Sequence, residues 1–207
     1  MLKENFTPDL YTGKKYSMSI LKANLVAIAY PIPLAAVYVI SFLIIQSLRS
    51  GAAGGLTFSI GGNITSLLLG LFLYFAGFFI LIVLHEMTHA VFFLRGCEQG
   101  RKSIVFGIKY ATPYCHCTEV LTASTYRKSL LAPLLTICLP LALVSYITGN
   151  LLVFLAALSM IFGSGGDLAV FWMIRKYPGK STFVWDMDDE VGCIVYESVK
   201  LDDKKAT

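Results

Sequence analysis

Hydrophobic positions in this chain fall in long unbroken runs, with neither the period-two alternation of a half-buried strand nor the narrow stripe of an amphipathic helix. The first run, Ala23 to Leu48 (23–48), would be about 39 Å long as a helix, enough to cross a bilayer with tilt. Pro31 and Pro33 fall in its first third, where they predict a kink. The second run, Ile64 to Leu94 (64–94), is longer than a simple span at about 46 Å. Asn63 precedes it as a helix N-cap. A third run covers Ser129 to Ile147 (129–147) and contains Pro133 and Pro140. After a tight reversal at Thr148-Gly149-Asn150, the fourth covers Leu151 to Ile174 (151–174).

The polar intervals predict less regular structure. Residues 1–19 read as a loose lead-in and 51–62 as a Gly-rich flexible turn. The loop 97–126 holds two β-rich pieces, Ile104–Tyr110 and Tyr114–Val120, which predict a hairpin around Ala111-Thr112-Pro113. Beyond Pro178-Gly179, the C-terminal segment 177–207 offers strands at Thr182–Trp185 and Val191–Tyr196 around the acidic turn Asp186–Glu190, then a solvated tail at Asp202-Asp203-Lys204-Lys205. The expected fold is an all-α polytopic membrane protein, one membrane domain over 1–207, with four transmembrane helices and small cytosolic β-hairpin elements.

Composition supports a bilayer setting. Residues are 56% hydrophobic and 14% charged, with a mean hydropathy of +0.69, where soluble domains carry about 25% charged residues. The basic residues cluster in the N-terminal segment, the 97–126 loop and the C-terminal segment, while the other two loops hold only Arg49. By the positive-inside rule both termini face the cytoplasm of a cell membrane crossed four times. The net charge of +4 is accounted for by that rule, so no nucleic-acid partner is expected. Five scattered cysteines argue for a reducing compartment rather than a disulfide framework. The first apolar run starts late and is too long for a cleaved signal peptide, so it is expected to be kept.

Chemistry concentrates at the end of the second run, in His85-Glu86-Met87-Thr88-His89. Residues four apart on a helix share a face, so two of the chain's three histidines can present imidazoles to one metal ion. Glu86 stands beside them, placed to hold and deprotonate a water. A catalytic zinc usually has three protein ligands, which leaves one to find. Asp167, His116, Glu119 and the acidic turn near Asp188 are candidates. His89 and His85 lie about 9 and 15 Å back from Arg95 along a helix, and Asp167 about 12 Å back from Arg175, which places Asp167 level with the pair. A lone carboxylate at that depth costs about 2.5–3.5 kcal/mol on insertion scales and needs a partner. A metal would supply one; a Ser, Thr or Tyr on another span, or a proton relay, are the alternatives. Gly163-Ser164-Gly165-Gly166 would permit a close helix approach or a local break just before it. His116 lies between Cys115 and Cys117, but adjacent strand residues point to opposite faces, so the trio does not predict a second metal site. His116, Tyr114, Tyr126 and Arg127 are candidates for substrate or oxyanion contacts, with structural or interfacial roles as the alternatives.

His85-Glu86-x-x-His89 on a membrane helix, followed by Gly165-Gly166-Asp167 on a later one, resembles the site-2 protease class of intramembrane zinc peptidases. The layout of residues 64–200 resembles more closely a bacterial family of zincin-type membrane peptidases of unknown function. It shares the long helix, the polar loop, the span beginning near Leu131-Ala132-Pro133, and the Cys193-Ile194-Val195-Tyr196 strand. The resemblance implies Zn2+ held by His85, His89 and Asp167, with Glu86 as general base. The context of Asp167 departs from site-2 proteases, in which Asn-Pro-Asp-Gly or Leu-Asp-Gly is usual, and no PDZ module is present. The expected activity is hydrolysis of a peptide bond in a peptide or membrane-protein substrate, at or within the cytosolic side of the bilayer. A membrane metal sensor or transporter, or a catalytically silent scaffold, are the rival expectations.

Overall fold

A computed structural model of the chain describes residues 11–50, 63–109, 112–187 and 191–198. The second apolar run forms one uninterrupted helix, α3 (Ile64–Leu94), and Asn63 caps it by accepting the Ser66 N–H at 2.9 Å. The other three runs are each broken. The first gives α1 (Ile20–Ala29) and α2 (Ile32–Ser50), interrupted at Tyr30-Pro31 because Pro31 has no N–H and restricts the residue before it. The third forms α4 (Ala123–Pro133), a π-helical turn Leu134–Cys138, and α5 (Leu139–Thr148). Pro140 cannot donate to the carbonyl four residues back, and its ring crowds that carbonyl, so the helix widens there. The fourth run divides at Ser164 into α6 (Leu151–Gly163) and α7 (Gly165–Ile174). Gly149 ends α5 with φ 65°, and Asn150 caps α6 by accepting from the N–H groups of Leu152 and Val153.

Four helical stretches, Leu21–Arg49, Ile64–Leu94, Ala123–Thr148 and Leu151–Ile174, are long and apolar enough to cross a membrane. The third starts six residues before the Ser129 expected from hydropathy. Hydropathy marks only where the helix turns apolar. Its polar first turns, capped by Thr122 accepting from the Thr125 N–H, belong to the same helix. Tyr126, expected at the end of the loop, and Arg127, just beyond it, therefore both lie on α4.

The upper core joins α2, α5 and α6. Phe42, 1% exposed, stacks near Phe154 with ring centroids 4.3 Å apart. Tyr38 and Ser145 share a buried 2.7 Å hydrogen bond between their hydroxyls. Outward-facing Leu68, Phe72 and Phe79 on α3 stay exposed, as side chains that meet lipid would.

Two antiparallel sheets close the other end. A hairpin pairs β2 (Ile104–Lys109) with β3 (Thr112–Cys117), so Thr112 and Pro113, expected in the turn, start a strand. β3 stops at Cys117 rather than running to Val120. A separate β4 (Leu121–Thr122) pairs with β5 (Thr182–Asp186). β5 pairs with β6 (Val191–Ser198), and β6 with β1 (Tyr11–Met18), giving the order β1-β6-β5-β4. The β content thus exceeds isolated hairpins. The latter part of the lead-in, expected to be loose, is an edge strand in register with β6 from Tyr11↔Ser198 to Met18↔Val191. Alternation in a short polar strand is faint in one sequence, and the pairing that orders β1 comes from the far end of the chain. The Gly-rich turn 51–62, Ala111, Asp188 to Glu190 and the charged tail lie outside the described residues.

A second core fuses this sheet to the helix ends. Val184, Val195 and Cys193 are fully buried against Leu121, Tyr126, Phe93 at the end of α3 and Ile174 at the end of α7. This contact fixes α3, which carries His85 and His89, and α7, which carries Asp167, against one platform.

Candidate active site

His85 and His89 sit one turn apart near the end of α3, each 5% exposed, with ring centroids 4.9 Å apart. Burial of two imidazoles on an otherwise strongly apolar helix requires polar partners. His89 has one at its outer nitrogen, where Nδ1–H donates to the Ser129 carbonyl on α4 at 3.0 Å. That bond selects the tautomer whose Nε2 carries a lone pair. Nε2 lies 3.3 Å from Asp167 Oδ1, and His85 Nε2 lies 3.1 Å from Asp167 Oδ2. One ligand atom from each of the three residues lies within 4.8 Å of the others.

Asp167 reaches this position through the helix break. The chain leaves α6 at Ser164, whose buried hydroxyl donates to the Met160 carbonyl at 3.2 Å, and re-enters a helix at Gly165. Gly165 lies against α1: a Cβ there would stand 1.7 Å from the Ala27 carbonyl oxygen. Only a residue without a side chain lets α7 approach α1 this closely. At Gly166 an added Cβ would meet nothing within 4 Å. The two glycines that the sequence brackets together therefore do different things, one packing and the other leaving a surface open.

The three residues line a cavity of about 590 Å³ together with Glu86, Asn24, Tyr114 and His116. Glu86 accepts a backbone hydrogen bond from Cys115, so strand β3 runs beside the general-base candidate. His116 Nδ1 stands 3.4 Å from Asp186 Oδ2, and the Tyr126 hydroxyl donates to Asp186 Oδ1 at 2.9 Å. Tyr126 and Asp186 also line the cavity. Arg127, by contrast, donates to the carbonyls of Arg175 and Tyr177, both at 2.9 Å. It caps the end of α7 and is not among the cavity's lining residues.

Glu119, a third-ligand candidate, takes no part in this group. Its carboxylate accepts from the N–H groups of Glu98 and Gln99 at 2.8 and 3.0 Å and from the Ser103 hydroxyl. Burial works against its charge, but these donors outweigh it and hold the carboxyl below its ordinary value. Asp188 lies outside the described residues. Asp186 and Asn24 are two polar residues of the cavity that were not among the site residues expected from the sequence. Asp186 was visible only as the first member of an acidic turn. Asn24 was a single amide near the start of an apolar run, with no pattern to mark it.

The donor set fits zinc. Ligand atoms around a tetrahedral zinc at about 2.0–2.1 Å stand about 3.4 Å from one another; here each imidazole lies 3.1 or 3.3 Å from its own oxygen of Asp167, and the set with one atom per residue spans up to 4.8 Å. Two imidazoles and a carboxylate on packed helices, with a second carboxylate lining the same cavity, define a candidate metal-dependent hydrolase. Residues 78–182 match the family described as "Putative zincin peptidase", and the chain belongs to that family. No curated protein and no solved structure matches the chain.

Proposed function

We propose that this protein is a zinc-dependent membrane peptidase in which His85, His89 and Asp167 hold the metal and Glu86 is the general base. The observation that carries the reading is the convergence of His85, His89 and Asp167 within 4.8 Å, with Glu86 lining the same cavity. Bound zinc supplies Lewis acidity, polarising a peptide carbonyl and lowering the pKa of water. Glu86 takes the proton of the attacking water and delivers it to the departing amine nitrogen. Asp167 balances charge between the two imidazoles, and the Ser129 carbonyl keeps His89 in the ligating tautomer.

The substrate we assign is an extended peptide, either free or unwound from a membrane protein. β3 pairs only with β2 among the described strands, so its other edge can accept a third strand beside Glu86. Tyr114 and His116 on β3 are the side chains such a peptide meets in the cavity. The basic loops favour an orientation with both termini and the sheets in the cytoplasm. The site then lies at or just inside the cytosolic face.

Metal content and proteolysis in detergent or liposomes test the reading together. Wild-type protein is expected to hold one zinc per chain, Glu86→Gln to keep the zinc and lose cleavage, and His85→Ala to lose both. Purified protein that binds no zinc, or a Glu86→Gln variant that still cleaves, sinks it.

A further inference from the structure

Cys97 follows the end of α3 and Cys117 ends β3, and their sulfurs lie 2.8 Å apart while both remain thiols. A disulfide needs about 2.05 Å between sulfurs, so little side-chain movement separates the pair from a covalent bond. We infer that Cys97 and Cys117 form a reversible dithiol–disulfide site, oxidised by small disulfides of the glutathione class, that pins the β2–β3 hairpin to the end of α3.

The other cysteines differ in ways that single out this pair. Burial pushes the thiols of Cys115 and Cys193 up to about 12, leaving them protonated and poor nucleophiles. Cys138 lies within the third apolar stretch, against Ser164. At Cys117 the hydrogen bond from the Cys97 thiol comes first and lowers its value, against the burial that raises it. Cys97 is partly exposed and Cys117 fully buried, which sets the order of events. As the Cys117 thiolate takes the Cys97 proton across their 2.8 Å contact, the Cys97 sulfur attacks one sulfur of the small disulfide, forming a mixed disulfide and releasing one glutathione thiolate. Cys117 then attacks Cys97 Sγ, forming the intramolecular bond and expelling the second glutathione thiolate. The two protons of the protein thiols end on the two glutathiones, and the two electrons reduce the oxidant. In a reducing compartment such a pair is ordinarily a dithiol, and its disulfide is a transient, sensing state.

The bond has a direct structural consequence. Cys117 lies two residues from Cys115, whose backbone bonds to Glu86, so oxidation fixes the strand that borders the cavity. An effect on peptide entry rests on the peptidase reading above, whereas the thiol chemistry does not.

The test uses the full-length protein in detergent, treated with glutathione disulfide, alkylated, digested without reduction and mapped. The expected result is joint loss of alkylation at Cys97 and Cys117, a cross-linked peptide containing both, and unchanged Cys115 and Cys193. Amide hydrogen exchange over Thr112–Cys117 is expected to slow on oxidation and recover with dithiothreitol. Cys97→Ser is expected to abolish both changes. A stable glutathione adduct on Cys97 with Cys117 still free overturns the inference, as do a bond between other cysteines or exchange that does not slow. None of these readouts depends on zinc or cleavage, so failure here leaves the metal-centre reading standing, and the reverse.

Discussion

Replacing Gly165 by Ala should damage the metal site without touching a ligand. The added Cβ would stand 1.7 Å from the Ala27 oxygen, whereas real Cβ contacts essentially never fall under 3.0 Å. The start of α7 and α1 must therefore separate by about 1.3 Å, the difference between those two distances. Metal–ligand distances hold to about ±0.2 Å, so a displacement of that size at a residue two positions from Asp167 would remove it from bonding range of the zinc proposed to be held by His85 and His89. Overpacking costs about 1–3 kcal/mol, offset by the roughly 0.5–1 kcal/mol that Ala gains over Gly in a helix. Gly166→Ala is the matched control. It meets open space, should gain that same roughly 0.5–1 kcal/mol, and should keep its zinc. The assay is zinc per chain by atomic emission, with thermal unfolding in the same detergent. If Gly165→Ala holds zinc and melts like wild type, the contact between α1 and α7 is not what places Asp167.

Asp167→Asn keeps the shape but not the charge, and zinc affinity should fall by more than the roughly 10–100-fold typical of losing a supporting hydrogen bond; competition with a chelator measures it. Glu119 is held below its ordinary value in the folded protein, so its contribution to stability is full above about pH 4.3 and lost as pH falls through the folded value. Unfolding followed from about pH 6 to pH 3 should show that loss, and Glu119→Gln should remove this component of the slope. Phe42→Ala opens the core between α2 and α6 and should cost about 3–5 kcal/mol in unfolding measurements, with zinc binding intact.

The helical frame and the convergence of His85, His89 and Asp167 were readable in the sequence because both depend on local spacing. Run length located α3 to the residue, and Pro31 marked where α1 and α2 separate. The four-residue interval of His85 and His89, with a depth argument for Asp167, named three residues that the fold brings together. What escaped was set by long-range contact. The strand β1 gains its order from β6, and the partnership of Asp186 with Tyr126 and His116 arises only once β5 packs against α4. Arg127 shows the converse: a cation close to the site in sequence, turned by the fold onto the carbonyls that end α7. The unequal roles of Gly165 and Gly166 were also hidden, since both read simply as absent side chains.

The pairing of β1 with β6 sets an order of events during synthesis. The first described strand waits for the last one, so it stays unpaired while all four apolar stretches between them are made. The contact of Gly165 with Ala27 joins the first such segment to the fourth, and Asp167 arrives only with the fourth. A nascent chain therefore carries two histidines and a glutamate without their carboxylate partner until the fourth apolar stretch has been made. The group of His85, His89 and Asp167 comes together only when the first and fourth apolar stretches have met.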